Sequence, residues 1–320
     1  MRHAGDTLGR QLARRLGSAM ALLLGVTLVS FTLTVHFGPD PAWEQLGRNP
    51  TPEQIEQVRH SLGQDRPFPL RYAGYLMNLA RLDLGHSYAN GEPVLDLLAR
   101  TAPISLLLLA PGFLLGIVLA LVLALAAAWR QRGRLDRFCD LASATGMSLS
   151  LVIIVIALQA VFGVWLDWFP VRGWRVDTPT DYLMHVAVPT MALIAANMGY
   201  NLRFFRAVFR DVLADPPVRT ARAYGFEARR IATGYVLRAA APPILTRVLV
   251  AIPLIVISGS LIIESHFGIP GVGLITWNAV MSGDQPVLMA VVSLSSILFV
   301  LALTVTDLLT GLADPRSRGT

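Results

Sequence analysis

Apolar residues in this chain gather into long runs, and short charged stretches separate them. Six runs reach about the 20 residues that a helix needs to cross a hydrocarbon core: 16–37, 104–128, 141–166, 184–202, 244–263 and 286–305. The pattern predicts an all-α polytopic membrane protein with six transmembrane helices. The first run follows Arg10, Arg14 and Arg15, an opening that a secretory leader would share. Its apolar length exceeds the roughly 7–15 residues of a leader core, and no small-residue cleavage site follows, so a retained anchor is expected. Arg247 interrupts the fifth run near its start, where a long side chain can reach back to the interface.

Residues 38–103, between the first two runs, are polar enough to be soluble. In TPEQIEQVRHSLG, Thr51 is placed to be an N-cap and Pro52 to be N1; Glu53 and Glu56 follow in the first turns, and Gly63 is the stop. A second helix is expected over 69–82, where Tyr72, Tyr75, Leu76 and Leu79 recur at helical spacing. A segment this short makes a small helical cap rather than an independent domain. The predicted division is a first segment 1–37, a cap 38–103 and a core 104–320 containing a long loop at 203–243.

Composition agrees with a bilayer. The chain is 54% hydrophobic and 15% charged, against about 25% charged for a soluble domain. All 27 basic residues are arginine, and the single cysteine, Cys139, excludes an internal disulfide or a cysteine metal cluster. A basic isoelectric point could suggest nucleic acid as a partner, but the charge is distributed otherwise. With the N-terminus inside, the inner segments hold 19 arginines and 8 acids; the outer ones hold 8 arginines and 13 acids. That bias follows the positive-inside rule and predicts both termini in the cytoplasm.

The densest charge lies in DPPVRTARAYGFEARRIATGYVLRAAAPP, residues 215–243. Asp215 is expected as N-cap and Pro216 as N1, Val218 to Tyr224 then make two helical turns, and Gly225 is the C′ stop. Phe226 follows, and a second helix from Glu227 runs on toward the fifth span. Ala221 and Ala223 are expected to keep the first helix thin, as a helix seated in a groove of a cytoplasmic partner must be. A basic loop held on lipid headgroups fits the arginines equally.

RTARAYGFEARRIATGYVLRAAAPP resembles the cytoplasmic EAA loop of permease subunits in bacterial ABC importers, in particular the dipeptide/oligopeptide/nickel branch. TPEQIEQVRHSLGQDRPFPLRYAGYL, LDLGHSYANGEPVLDLL and IIESHFGIPGVG are similar to the B-type member of that branch, in the same order and over nearly the whole chain. The resemblance implies that residues 215–225 dock into a groove on an ATPase subunit, with Arg219, Thr220 and Ala221 at the loop's Glu-Ala-Ala core. It implies a second homologous permease across a pseudo-two-fold interface, two cytoplasmic ATPase subunits and an external solute-binding protein. ATP and Mg would be used by those ATPases, and no cofactor or metal would be bound by this chain. The sequence departs from the branch at Tyr224, where lysine is usual, and at ATGMSLSLVIIVIALQ, which lacks the expected prolines.

Other chemistry finds little support. Walker A needs a lysine and the chain has none, and HExxH, GxSxG and Cys-x-x-Cys are absent. The histidines at 3, 36, 60, 86, 185 and 266 show no ligand spacing. Gly268, Gly271 and Gly273 follow an apolar run rather than a strand, which disfavours a dinucleotide site. The stretch Glu264, Ser265, His266, Phe267 and Gly268, with Pro270, Gly271 and Gly273 beyond it, is read either as an outer gate or path or as an interfacial cap. Gln159 and Asn197 lie within spans and either line a path or pack between helices.

The expected protein is the permease of an ATP-driven importer in a bacterial inner membrane, moving short peptides inward by alternating access. A nickel or metal-chelator importer is the alternative within the branch. A secondary transporter or channel would also have six spans, but would place charges at mid-membrane for ion coupling, and none lie there. A plain membrane anchor would leave the loop unexplained.

Overall fold

The computed structural model of the protein describes residues 3–38, 40, 46, 50–61, 63 and 65–313. Helices account for nearly all regular structure, and the isolated bridge His86–Pro93 is the only β pairing among the described residues. In chain order the helices are α1 (His3–Phe37), α2 (Pro52–Ser61), α3 (Phe68–Ala80), α4 (Val94–Trp129), α5 (Arg134–Ser148), α6 (Leu151–Gln159), α7 (Pro179–Ala214) and α8 (Pro216–Ala223). They continue as α9 (Ala228–Ile231), α10 (Leu237–Leu254), α11 (Ser260–Phe267), α12 (Val272–Ser282) and α13 (Gln285–Ala313). π-Helical turns at Ala160–Trp165, Ala232–Val236 and Ile255–Gly259 extend α6 and join α9 to α11. Among the described residues, five helices are long and apolar enough to cross a membrane, or six when α5 and the α6 segment count as one bent span.

Two expectations need correction. The third run is not a straight helix: Arg134–Ser148 and Leu151–Trp165 meet at 103°. Leu149 and Ser150 are extended there, while the Ser148 hydroxyl turns back to the Ala144 carbonyl at 2.8 Å. Serines that bond nearby backbone favour helix ends over interiors, and Ser148 is the last helical residue before the break. The second correction concerns the start of the long loop at 203–243, where residues 203–214 remain helical. α7 runs on to Ala214, and α8, α9 and the start of α10 follow. The apolar run ends near residue 202, but intrahelical hydrogen bonds hold regardless of polarity, so amphipathic turns prolong α7.

The described chain forms two compact units: Met1–Ser105 with Pro270–Thr304, and Leu106–Ile269 with Val305–Thr320. In the first, Val94, Leu97 and Leu98 share a core with Val272, Ala279, Val287 and Val291. α2 begins with a reciprocal cap: the Thr51 hydroxyl accepts from the Gln54 N–H at 3.4 Å, and the Gln54 side chain accepts from the Thr51 N–H at 3.0 Å. α3 lies along α1, with Tyr75 stacked on Phe31 at 5.5 Å and the Tyr72 hydroxyl donating to the Leu24 carbonyl at 2.9 Å. The loop after α3 is fastened by Asp284, which is 2% exposed. Its carboxylate accepts from the Ser87 hydroxyl and from the N–H groups of Tyr88 and Ala89, at 3.2 and 3.3 Å for the latter two.

The second unit is built on α7. Its N-terminus is capped by Thr178, whose hydroxyl accepts from the Asp181 N–H at 3.1 Å. α5 crosses α7 at Gly146 and Gly199, where a Cβ on Gly199 would lie 2.9 Å from the Gly146 carbonyl carbon. Only glycine lets the two backbones approach so closely. Arg247 is half-buried, with its guanidinium 6.0 Å from the centre of the Phe204 ring.

Candidate coupling site

α8 is an eight-residue helix fixed at both ends by its sequence. Asp215 occupies the N-cap position with extended backbone, yet its carboxylate makes no capping bond. The Asp215 carbonyl accepts from the Val218 and Arg219 N–H groups at 3.1 and 3.2 Å instead. Pro216 and Pro217 open the helix, where a missing N–H costs nothing. At the far end Gly225 has a φ of +73°. Its N–H reaches the Arg222 carbonyl at 3.0 Å, and the Phe226 N–H reaches that of Ala221 at 3.2 Å. This pair of bonds is a Schellman stop, which a side chain at Gly225 would strain.

Such a short helix does not persist alone; packing holds it. Val218 and Ala221, at 2% and 3% exposure, turn inward. They join one apolar cluster with Phe205, Phe209 and Leu213 of α7, Ala127 and Ala128 of α4, and Ile231 and Val236 beyond the turn. Burying a valine side chain is worth roughly 1.5–3 kcal/mol, enough to hold two turns in place. Arg222 lies over the Trp129 ring at 4.9 Å and Arg230 over Phe226 at 4.6 Å. The expectation that Ala221 presents a thin outward face is therefore replaced: Ala221 is core, and the outward face carries Arg219, Thr220, Ala223 and Tyr224. Tyr224 is 78% exposed.

Beneath this cluster lies a charged network that the sequence reading did not single out. Asp136 and Arg206 are 5% and 3% exposed. Arg206 of α7 donates to Asp136 at 2.5 Å and to Asp140 at 2.7 Å, both on α5. Arg210, one turn on, reaches Asp136 at 2.7 Å, and the Arg132 N–H closes the set at 3.1 Å. Two acids four residues apart and two arginines four residues apart are complementary helix-face pairs, and that spacing was the available signal. The network ties the bent α5 to the end of α7 that leads into α8.

The other candidate residues divide between the units. Glu264 is fully enclosed on α11. His266 pairs with Gln159 at 2.6 Å, and the Gln159 amide also donates to the Val171 carbonyl at 2.6 Å. Gln159 thus bridges two segments, while Asn197 bonds its own helix at Leu193. The Ser265 hydroxyl returns to the Leu261 carbonyl, Phe267 is buried, and Gly268 ends α11 at a φ of +67°. Pro270, Gly271 and Gly273 belong to the first unit, where Gly271 opens α12. That short apolar helix was not anticipated.

Residues 104–319 match the family model described as "Binding-protein-dependent transport system inner membrane component", and residues 8–109 match that of its N-terminal part. The chain belongs to this permease family. Its relatives include a putative peptide transport system permease protein of Brucella abortus, 29% identical over 95% of this chain and 98% of the relative. A dipeptide transport system permease protein of Lactococcus lactis is 30% identical over 97% of this chain and 99% of its own length. An oligopeptide transport system permease protein of Bacillus subtilis is 29% identical, covering 95% and 97%. The permease is a multi-pass inner membrane protein whose family works with ATPase and binding-protein components.

Proposed function

We propose that this permease forms half of the membrane core of a peptide importer and takes its power stroke through α8. The observation that carries the reading is the split character of that helix. One face is sunk in a core shared with α4 and α7, and the other offers Arg219, Thr220, Ala223 and Tyr224 to a partner. Movement of an ATPase bound to the outer face would be handed to the spans, because α8 has no freedom to slide over its own base. The Asp136–Arg206 network would pass the same displacement to the bent α5–α6 pair. A second, homologous permease would complete the path, with two ATPases inside and a solute-binding protein outside. Both termini and α8 would then face the cytoplasm, a reading the arginine distribution supports.

The solute class rests on the relatives named for peptide, dipeptide and oligopeptide transport. Reconstituting the permease with its partner subunits and measuring solute-stimulated ATP hydrolysis tests it. Short peptides presented by the binding protein should stimulate hydrolysis and nickel should not. Stimulation by nickel or a nickel chelate alone would move the assignment to metal import.

A further inference from the structure

The first unit contains a cavity of about 370 Å³. Its walls come from the last turns of α1 at Phe31 and Val35, the first turns of α13 at Pro286 and Met289, and α3. Arg66 and Arg71 also line it, with Asp83 beside them. Most other arginines of the cap and of the stretch before α7 are engaged: Arg59 with Asp40, Arg100 with Glu92, Arg175 with Asp177, and Arg172 with the Ser265 carbonyl. Among the described residues, the guanidinium groups of Arg66 and Arg71 have no ion pair and no hydrogen bond. One Asp83 carboxylate oxygen already accepts from the Gly85 N–H at 3.1 Å. The cavity thus carries excess positive charge in a partly apolar wall.

We propose that this cavity binds the headgroup phosphate of an anionic phospholipid. Its depth supports a lipid, because it lies where the apolar stretches of α1 and α13 end, the level at which headgroups begin. The character of α3 supports it further. Leu70 and Met77, two turns apart on one face, are 62% and 56% exposed, as expected of a helix lying in the interface. Leu70 lines the cavity itself. A guanidinium pair matches phosphate oxygens in geometry as well as charge. The apolar wall gives the start of an acyl chain somewhere to lie, which a small soluble anion does not need.

Native mass spectrometry of the full-length permease, with phosphatidylglycerol and phosphatidylcholine offered in equal amounts, tests the proposal. Wild type should retain phosphatidylglycerol in preference. Arg66→Gln with Arg71→Gln should weaken that retention by roughly tenfold, the loss of one or two charge-assisted hydrogen bonds. Arg59→Gln with Arg100→Gln removes the same two charges at ion pairs outside the cavity lining and should change nothing. Gly74 lines the cavity and a Cβ there meets nothing within 4 Å, so Gly74→Trp should fill the space and expel the lipid with every charge intact. Equal retention of the two lipids, or equal loss in Arg59→Gln with Arg100→Gln, would overturn the site. Displacement of the lipid by an equal concentration of glycerol 3-phosphate would assign it to a soluble anion instead.

Discussion

Arg206 of α7 sits between two carboxylates of α5, 2.5 Å from Asp136 and 2.7 Å from Asp140, while itself only 3% exposed. A guanidinium in so dry a place is tolerable because its charge is matched, and removing the buried Asp136 leaves it only the exposed Asp140. Asp136→Ala should therefore destabilise the permease by about 3–5 kcal/mol, lowering the midpoint of thermal unfolding in detergent. The double variant Asp136→Ala with Arg206→Met should recover most of that loss. A single variant as stable as wild type would mean that the network contributes no more than a surface pair.

The crossing of α5 over α7 depends on the absence of side chains. Since a Cβ on Gly199 would lie 2.9 Å from the backbone of Gly146, Gly199→Ala should overpack the contact and cost about 1–3 kcal/mol. Gly17 has nothing within 4 Å of its Cβ position, so Gly17→Ala should be nearly neutral. Thermal unfolding of the two variants side by side gives the comparison. Equal midpoints would remove the close crossing from the account.

The spans were readable from apolar length, because the bilayer imposes a minimum run on any helix that crosses it. The break at Leu149–Ser150 was not, since the two apolar stretches flanking it join into one run in composition. What divides them is the extended backbone at Leu149 and Ser150 after Ser148, which composition does not mark. The α8 boundaries followed from Asp215, Pro216 and Gly225, residues whose backbone demands are local. Its facing did not. Ala221 and Ala223 are equally small, and only the placement of Phe205 and Phe209 makes Ala221 the buried one.

Glu264 is fully enclosed on α11, a costly place for a carboxyl group in a membrane protein without a task. Glu264→Gln keeps the shape of the side chain and removes its charge. Uptake of the transported solute into intact cells should fall while the complex still assembles in normal amount. Uptake and basal ATP hydrolysis both equal to wild type would leave Glu264 as a packing residue.

Orientation can be read by chemistry at exposed positions. Cys139 is buried, so single cysteines at Arg230 and Glu56, both exposed, can be followed with an impermeant thiol reagent. In intact cells Glu56→Cys should label and Arg230→Cys should label only after the membrane is opened. Labelling of position 230 from outside would invert the topology.

The outer face of α8 is where the ATPase is proposed to dock. Ala223 is exposed on that face and takes no part in the apolar cluster that holds the helix, unlike Ala221. Ala223→Trp therefore adds bulk where a partner would sit, leaving charge and core unchanged. Arg219→Gln with Arg222→Gln removes charge and adds no bulk. The direct measurement is co-purification of the ATPase subunits, together with solute-stimulated hydrolysis, for both variants at normal membrane levels of the permease. Ala223→Trp should lose both. A tryptophan variant that binds its ATPase and transports normally, with only the arginine changes having an effect, would contradict it and make α8 a charged loop held at the lipid surface.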